Sequence, residues 1–445
     1  MKGFKESITS KRVVVAGAGV SGISVVKLLL RLGCRSILVS DKNQPAPDVL
    51  EFLTSQDIEL EVGHSARILD SDLVILSPGV KLNRYPFSSM RGLGIPFMGE
   101  LEMGYRFTPG RFIAVTGTNG KSTVVTLISR MLEGSVPAGN IGNPLSSFAF
   151  KKGTYVVEVS SFQLMTTVDF RPDVAAILNI DQDHLDWHSS MDEYIMAKYR
   201  IFENQHENDF LVLNYDDILT RDAAKLAPSK VLFFSTKEKV NAHVENGVLK
   251  VHLPTGKSFD IVKRNELRVE GEHNVRNALA ASLIALLAGA SVDRVRDVLL
   301  NFTGLPHRIE LVVEHKGVRV YNDSKATNPH AVLGALSAFE GNVILIMGGE
   351  EKHLDYSTLV PEIKDKVKFL IIFGKNSPHL ERVFQGVVST FKARDLKEVV
   401  ELSFSLSAPG DAILFSPGTS SFDMFKNYKE RGERFKDEVK RFVCR

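Results

Sequence analysis

The sequence predicts an α/β protein of three domains, each built on a mostly parallel sheet. Short apolar runs alternate with amphipathic stretches of helical period along the chain, the pattern of parallel strands and crossover helices. In the last third those runs end in Gly or Pro-Gly, and open α/β sheets gather ligands at such strand ends. The length of 445 residues sets a prior of about three domains. The expected division is 1–99, 100–304 and 305–445, with the second boundary at Gly304-Leu305-Pro306.

The first domain is Rossmann-like. Residues 13–16 form a strand, Gly17-Ala18-Gly19-Val20-Ser21-Gly22 a glycine turn, 23–32 a helix and 36–40 a second strand ending at Asp41. Residues 72–76 are a further strand running into Ser77-Pro78-Gly79. Gly17-x-Gly19-x-x-Gly22 matches the dinucleotide fingerprint, with Asp41 placed for a ribose. Taken alone it suggests a nicotinamide enzyme. Its physics demands only a diphosphate on a helix N-terminus, which a UDP-sugar also offers.

The central domain is P-loop ATPase-like. Residues 111–115 are an apolar strand, followed by Thr116-Gly117-Thr118-Asn119-Gly120-Lys121-Ser122-Thr123. Backbone N–H groups of such a turn face phosphate oxygens, and the helix that follows adds its positive end. Lys121 would reach the outer phosphates and the Ser122 hydroxyl would sit on Mg²⁺. Val115 stands where the eight-residue form needs a glycine, so this is a shorter variant. The ligand expected is ATP. A nicotinamide enzyme would leave this loop without a purpose.

Further polar groups interrupt apolar surroundings. Glu158 lies in the strand 155–159, where a buried carboxylate needs an ion pair or a metal; Mg²⁺ is favoured beside Ser122. The tract 179–188 follows the strand 174–178 and is, by composition, as readily a solvated loop as a site. Asn274 and Asn277, three apart, share one face before the long apolar helix 275–287; capping and solvation are the bland alternatives. A second helix is expected near 292–300. In the third domain the strands 318–321, 343–347, 369–373 and 412–415 lead into polar or glycine turns. The densest is 322–329, where a plain turn competes with a site.

Composition narrows the class. Hydrophobic content is 44%, charged content 24% and net charge +2, so neither nucleic acid nor an anionic membrane is an expected partner. Two cysteines, Cys34 and Cys444, cannot make a disulfide framework. Residues 1–11 lack an apolar signal core, and the apolar stretch 278–290 is short of the ~20 residues that span a bilayer. A cytoplasmic setting is expected.

Several segments in order resemble the Mur ligase family of peptidoglycan synthesis. They are 117–123, Gly139-Asn140-Ile141-Gly142, 158–164, 179–184, 197–201, 271–277, 304–308, 322–328 and 416–425, and together they span nearly the whole chain. The resemblance implies an ADP-forming amide ligase in cytoplasmic precursor synthesis. ATP would phosphorylate the carboxylate of UDP-N-acetylmuramoyl-L-alanine, and the amine of D-glutamate would attack the acyl phosphate. Small molecules are the implied partners, and a monomer is expected. A folate-polyglutamating enzyme shares the short P-loop but leaves the first domain without a role.

Carried over by position, the resemblance puts ATP on Gly117, Thr118, Asn119, Gly120, Lys121, Ser122, Thr123, Asn274, Asn277, Arg308 and Asp323. Lys121, His184 and Lys198 are the implied catalytic groups. Ser122, Glu158, His184 and Lys198 are the implied metal set, Lys198 if its amine is carbamylated. The UDP substrate is assigned to Val20, Ser21, Asp41, Ser77, Gly79, Asn140 and His184, and the incoming amino acid to Lys325, Thr327, Lys352, Ser421 and Tyr428. One departure stands out: Glu350, Glu351 and Asp355 surround Lys352. That loop is negative for a pocket receiving an acidic side chain, so basic D-amino acids are expected to be tolerated unless the two glutamates face solvent.

Overall fold

The computed structural model describes residues 8–183, 187–269, 271–351 and 354–444. The chain divides into two compact units, Met1–Leu267 with Glu272–Phe302, and Arg268–Gly271 with Thr303–Arg445. Two sheets lie in the first unit and one in the second.

The first sheet contains β1 (Arg12–Ala16), β2 (Ser36–Asp41), β3 (Glu59–Val62), β4 (Leu73–Leu76) and β5 (Phe97–Gly99), ordered β3-β2-β1-β4-β5. All its pairings are parallel. The order reverses between β1 and β4, where doubly wound sheets open a crevice for a ligand. The helix Val20–Leu32 starts directly after Gly19 and buries Val25, Val26, Leu28 and Leu29 against β1. Gly33, at φ 85°, stops it, a left-handed end that glycine adopts without strain.

The second sheet follows: β6 (Gly110–Thr116), β7 (Ser135–Gly139), β8 (Gly153–Glu158), β9 (Val174–Ile177), β10 (Phe210–Asn214), β11 (Lys230–Ser235), β12 (Ala242–Glu245), β13 (Val248–His252) and β14 (Ser258–Lys263). Its order is β14-β13-β12-β11-β10-β9-β6-β8-β7. The strands from β6 to β12 pair in parallel, and β12-β13-β14 close the edge as antiparallel hairpins. β6, β8 and β9 are adjacent, so the segments at 117, 159 and 178 emerge side by side. Glu158 is the last residue of β8, not an interior one: the sheet ends where the apolar run does.

The second unit carries β15 (Glu310–His315), β16 (Val318–Asn322), β17 (Val343–Gly348), β18 (Val367–Phe373), β19 (Thr390–Lys392) and β20 (Ala412–Phe415), ordered β15-β16-β20-β17-β18-β19. Only β15 runs antiparallel to its neighbour. Apolar clusters fill both faces, one around Leu345, Leu370 and Leu414, the other around Ile344, Ile371 and Ile413. Burial on both faces is why these strands read as continuous apolar runs.

Candidate active site

The phosphate loop leaves β6 at Thr116, and the helix Lys121–Met131 begins five residues later. Gly117 has φ 150° and Gly120 has φ 84°. A Cβ on Gly120 would lie 2.4 Å from the Asn277 Oδ1, so the buried Asn277 packs directly on the loop. Asn179, just past β9, clamps it from the other side. The Asn119 N–H donates to the Asn179 Oδ1 at 2.7 Å, and the Asn179 Nδ2 donates to the Asn119 carbonyl at 3.1 Å. The Thr118 N–H donates to the Asn179 carbonyl at 2.9 Å, and the Thr118 hydroxyl meets the Tyr194 hydroxyl at 2.9 Å. The Lys121 ammonium donates to the carbonyls of Gly117 at 2.6 Å and Thr118 at 2.8 Å. Ser122 and Thr123 are buried at the start of the helix, and Asn274 lies in the first turn of the helix Glu272–Leu287.

Glu158 is 3% exposed. Its Oε1 accepts from the Asn140 Nδ2 at 2.9 Å. Its Oε2 is buried and has no hydrogen-bond partner among the described residues. A buried carboxylate oxygen without a donor is costly, and a hard divalent cation answers that cost. No group of three or more His, Cys, Asp or Glu gathers for a metal among the described residues. Mg²⁺ keeps waters and phosphate oxygens and takes one or two protein ligands. The donor set at Glu158 and Ser122 therefore fits it.

Lys198 is 1% exposed near the end of the helix Met191–Tyr199, with its ammonium 4.4 Å from the centre of the Tyr194 ring. Burial and the positive charge of Lys121 push its pKa well below the ordinary lysine range, against a smaller pull from Asp183. Both effects favour the neutral amine, the nucleophilic form of a lysine. His188 is also buried, its Nε2 3.0 Å from the Ser161 Oγ and its ring stacked on Phe162. Tyr194 and His188 are members that the sequence reading did not single out. Their partners lie 76 and 27 residues away in the chain, which no local pattern reveals. His184 lies outside the described residues.

In the first sheet the glycine turn is fixed by its neighbours. A Cβ on Gly22 would fall 1.7 Å from the Gly17 carbonyl oxygen, so no side chain fits there. Asp41 accepts the Ala18 N–H on Oδ2 at 2.6 Å and the Asn43 N–H on Oδ1 at 2.9 Å. Both its oxygens thus fasten backbone, a role that its ribose-acid position did not suggest. The Ser77 hydroxyl donates to the Gly17 carbonyl at 3.3 Å. Val20 and Gly79 are exposed beside it, and Ser21 is half-buried.

In the second unit Arg308 and Asp323 come together. Asp323 is buried; its Oδ2 accepts from the Ser416 hydroxyl at 2.7 Å and its Oδ1 from the Ile309 N–H at 3.3 Å. Burial pushes its pKa up to about 7, against the pull of Ser416 and of the Arg308 charge. Arg431, fully buried, donates to the Ser324 Oγ at 3.0 Å and to the carbonyls of Ser324, Thr419 and Gly348 at 2.8, 3.0 and 3.4 Å. Its pKa is drawn down to about 10 by burial, so it remains a cation at neutral pH. Lys325 and Thr327 follow Ser324; Ser421 is buried beyond Thr419; the Tyr428 carbonyl accepts the Ser324 hydroxyl at 2.8 Å. Lys352 lies outside the described residues. The acids near it have partners: Glu350 meets Lys375 at 3.6 Å, Glu351 meets His379 at 3.4 Å, and Asp355 caps Ser357. Among these partners only the Lys375 ammonium carries a fixed positive charge, and Glu350 and Glu351 are half-buried and not turned wholly to solvent.

Asp323 gives a pH test. Ionising near pH 7 folded and about pH 4 unfolded, it binds a proton that only the folded state keeps, so stability falls as pH rises from about 4 to 7. The ceiling is about 4 kcal/mol. Urea unfolding at pH 5 and pH 8 should show wild type losing more stability over that interval than Asp323→Asn; equal losses would contradict the buried-acid assignment.

No helix among the described residues is long and apolar enough to cross a membrane. Residues 12–90 match the MurD N-terminal domain, 115–285 the Mur ligase middle domain and 307–418 the Mur ligase, glutamate ligase domain. The chain is similar to the UDP-N-acetylmuramoylalanine–D-glutamate ligases of Caldanaerobacter subterraneus subsp. tengcongensis and Pelotomaculum thermopropionicum. They are 38% and 39% identical, over 97% and 98% of this chain and 98% of each relative. Its fold is similar to that of UDP-N-acetylmuramate-alanine ligase MurC from Thermotoga maritima, with TM-score 0.60, 19% identity and coverage of 98% of this chain and 99% of that one. MurF ligase from the same organism, in complex with ADP, gives TM-score 0.59 at 17% identity over 98% of this chain and 97% of that one. With domain matches in the segments that form all three sheets, and identity near 40% along almost the whole length, the chain belongs to the Mur ligase family.

Proposed function

We propose that this protein is an ATP-dependent acid–amino-acid ligase that joins D-glutamate to UDP-N-acetylmuramoyl-L-alanine in cytoplasmic peptidoglycan precursor synthesis. The observation that carries the reading is full-length similarity to ligases named for that reaction, on a chain that puts a P-loop and a donor-poor buried carboxylate on adjacent strands. The domain division at about 99 and 304 belongs to the same proposal.

The glycine turn, with Ser77 and Gly79, would hold the diphosphate of the UDP substrate. The phosphate loop would cradle ATP, with Lys121 turning from its loop carbonyls to the outer phosphates as they arrive. Glu158 and Ser122 would hold Mg²⁺, which when bound offsets charge between the outer phosphates. A substrate carboxylate oxygen takes the terminal phosphoryl group and ADP departs. The D-glutamate nitrogen then bonds to the acyl carbon, the carbon–oxygen bond to phosphate breaks, and the amine proton passes to solvent. Arg431 supports the amino-acid pocket by fixing Ser324 and Thr419, whose neighbours Lys325, Thr327 and Ser421 are its proposed lining. The lowered pKa of Lys198 favours carbamylation, because only a neutral amine adds to CO₂.

Phosphate release from ATP tests the reading. It should require both UDP-N-acetylmuramoyl-L-alanine and D-glutamate; D-lysine tested beside D-glutamate decides selectivity, a gap of roughly a thousandfold or more ruling out the tolerance expected from the acidic loop. Release that ignores the UDP substrate would overturn the assignment.

A further inference from the structure

Glu100 is the first residue of the helix Glu100–Phe107, directly after β5, and it is 2% exposed. Its Oε1 accepts the Ser146 N–H at 2.8 Å and the Ser146 hydroxyl at 2.7 Å. Its Oε2 is buried with no hydrogen-bond partner among the described residues. The Ser146 hydroxyl gives its one proton to Glu100, so at 2.7 Å it accepts from the Ser24 hydroxyl. Ser24 in turn accepts from the Ser147 hydroxyl at 2.9 Å. The bonds therefore run one way, from Ser147 through Ser24 and Ser146 to Glu100. Ser24 lies two residues past Gly22, in the helix that opens at the glycine turn. Ser146 and Ser147 lie in the short helical turn Leu145–Phe148. That turn follows the segment carrying Asn140, which the Gly139 N–H ties into one loop by donating to the Asn143 carbonyl at 2.7 Å. Both ends belong to one compact unit. No role assigned above uses these four residues.

We propose that Glu100 is a positioning residue: through Ser146 and Ser24 it fixes the glycine-turn helix of the first sheet against the Asn140 segment of the second, and so sets the span that the UDP substrate bridges. The inference rests on the ligase reading, which puts the diphosphate on the glycine turn and the rest of the substrate beside Asn140 and Glu158. A carboxyl group is costly to bury, and burial pushes the pKa of Glu100 up. An apolar side chain could fill the same space. Only an acceptor answers both Ser146 donors, which without one are left buried and unpaired. A ligand held at two ends gains when its two sites are already set at the right separation. UDP alone touches one end and gains nothing from the spacing. Loss of the link therefore weakens the whole substrate and spares its nucleotide fragment, whereas a general loosening of the fold would weaken both.

The test compares wild type with Ser24→Ala, Glu100→Ala and Glu100→Gln. Calorimetry gives Kd for UDP, and phosphate release gives KM for UDP-N-acetylmuramoyl-L-alanine and for ATP. In Ser24→Ala and Glu100→Ala, KM for the UDP substrate should rise about tenfold, while Kd for UDP, KM for ATP and kcat stay within about twofold. Glu100→Gln keeps an oxygen that accepts from Ser146, so its KM for the UDP substrate should stay within about threefold of wild type. Ser24→Ala leaves Glu100 and Ser146 paired, so it reports on the link even where Glu100→Ala does not fold. An unchanged KM in Ser24→Ala would overturn the proposal, and so would equal losses of affinity for UDP and for the whole substrate; either result leaves the ligase intact. Phosphate release in wild type that does not need the UDP substrate would overturn the ligase reading itself.

Discussion

Lys121→Ala is expected to lower phosphate release by roughly a thousandfold or more, because phosphoryl transfer depends on positioned cations. Two consequences should appear together. The loop loses the ammonium that holds the Gly117 and Thr118 carbonyls at 2.6 and 2.8 Å, so ADP binding measured by calorimetry should weaken. The charge that helps to suppress ionisation of Lys198 also disappears, so that amine becomes easier to protonate. The loop should stay folded, since Asn179 and Asn277 hold it independently. A variant keeping more than a tenth of wild-type turnover would place the phosphate site elsewhere.

Lys198→Ala is expected to cost about a hundredfold or more in kcat, the scale of losing one preorganised electrostatic group. Lys198→Arg should fare no better, because a guanidinium stays charged and cannot add CO₂. A short carboxylate such as formate should partly restore Lys198→Ala, by standing where the carbamate oxygens would be. Growth of a carbamate carbonyl signal in ¹³C NMR with labelled bicarbonate should be seen for wild type and for neither variant. An active Lys198→Arg would remove the carbamate from the reaction.

The strand-and-turn grammar was legible because buried parallel strands are continuous apolar runs and the chain punctuates them with glycine. The runs at 13–16, 36–40 and 412–415 lie inside or coincide with observed strands. Glu158 was legible as an anomaly, though it caps its strand and does not interrupt it. The hairpins β12 to β14 had no reading: they sit on a sheet edge, with mixed polar and apolar residues and no period long enough to declare itself. Asp41 was legible by spacing, but its hydrogen bonds to Ala18 and Asn43 were not. Arg431 was unreadable altogether, since a helical arginine looks solvated until the loops that surround it are in place.

That arginine also sets an order of events in synthesis. The guanidinium that ties the Gly348, Ser324 and Thr419 segments together arrives on the last helix of the chain, Tyr428–Val443. Domains emerge and fold from the N-terminus during translation, and the first unit is fully synthesised once Phe302 has been added. The strand-end loops of the second unit have no such head start. They stay unfastened until the ribosome has nearly finished, so a chain cut between Phe302 and Arg431 keeps the whole first unit but leaves the strand-end loops of the second without the guanidinium that ties them.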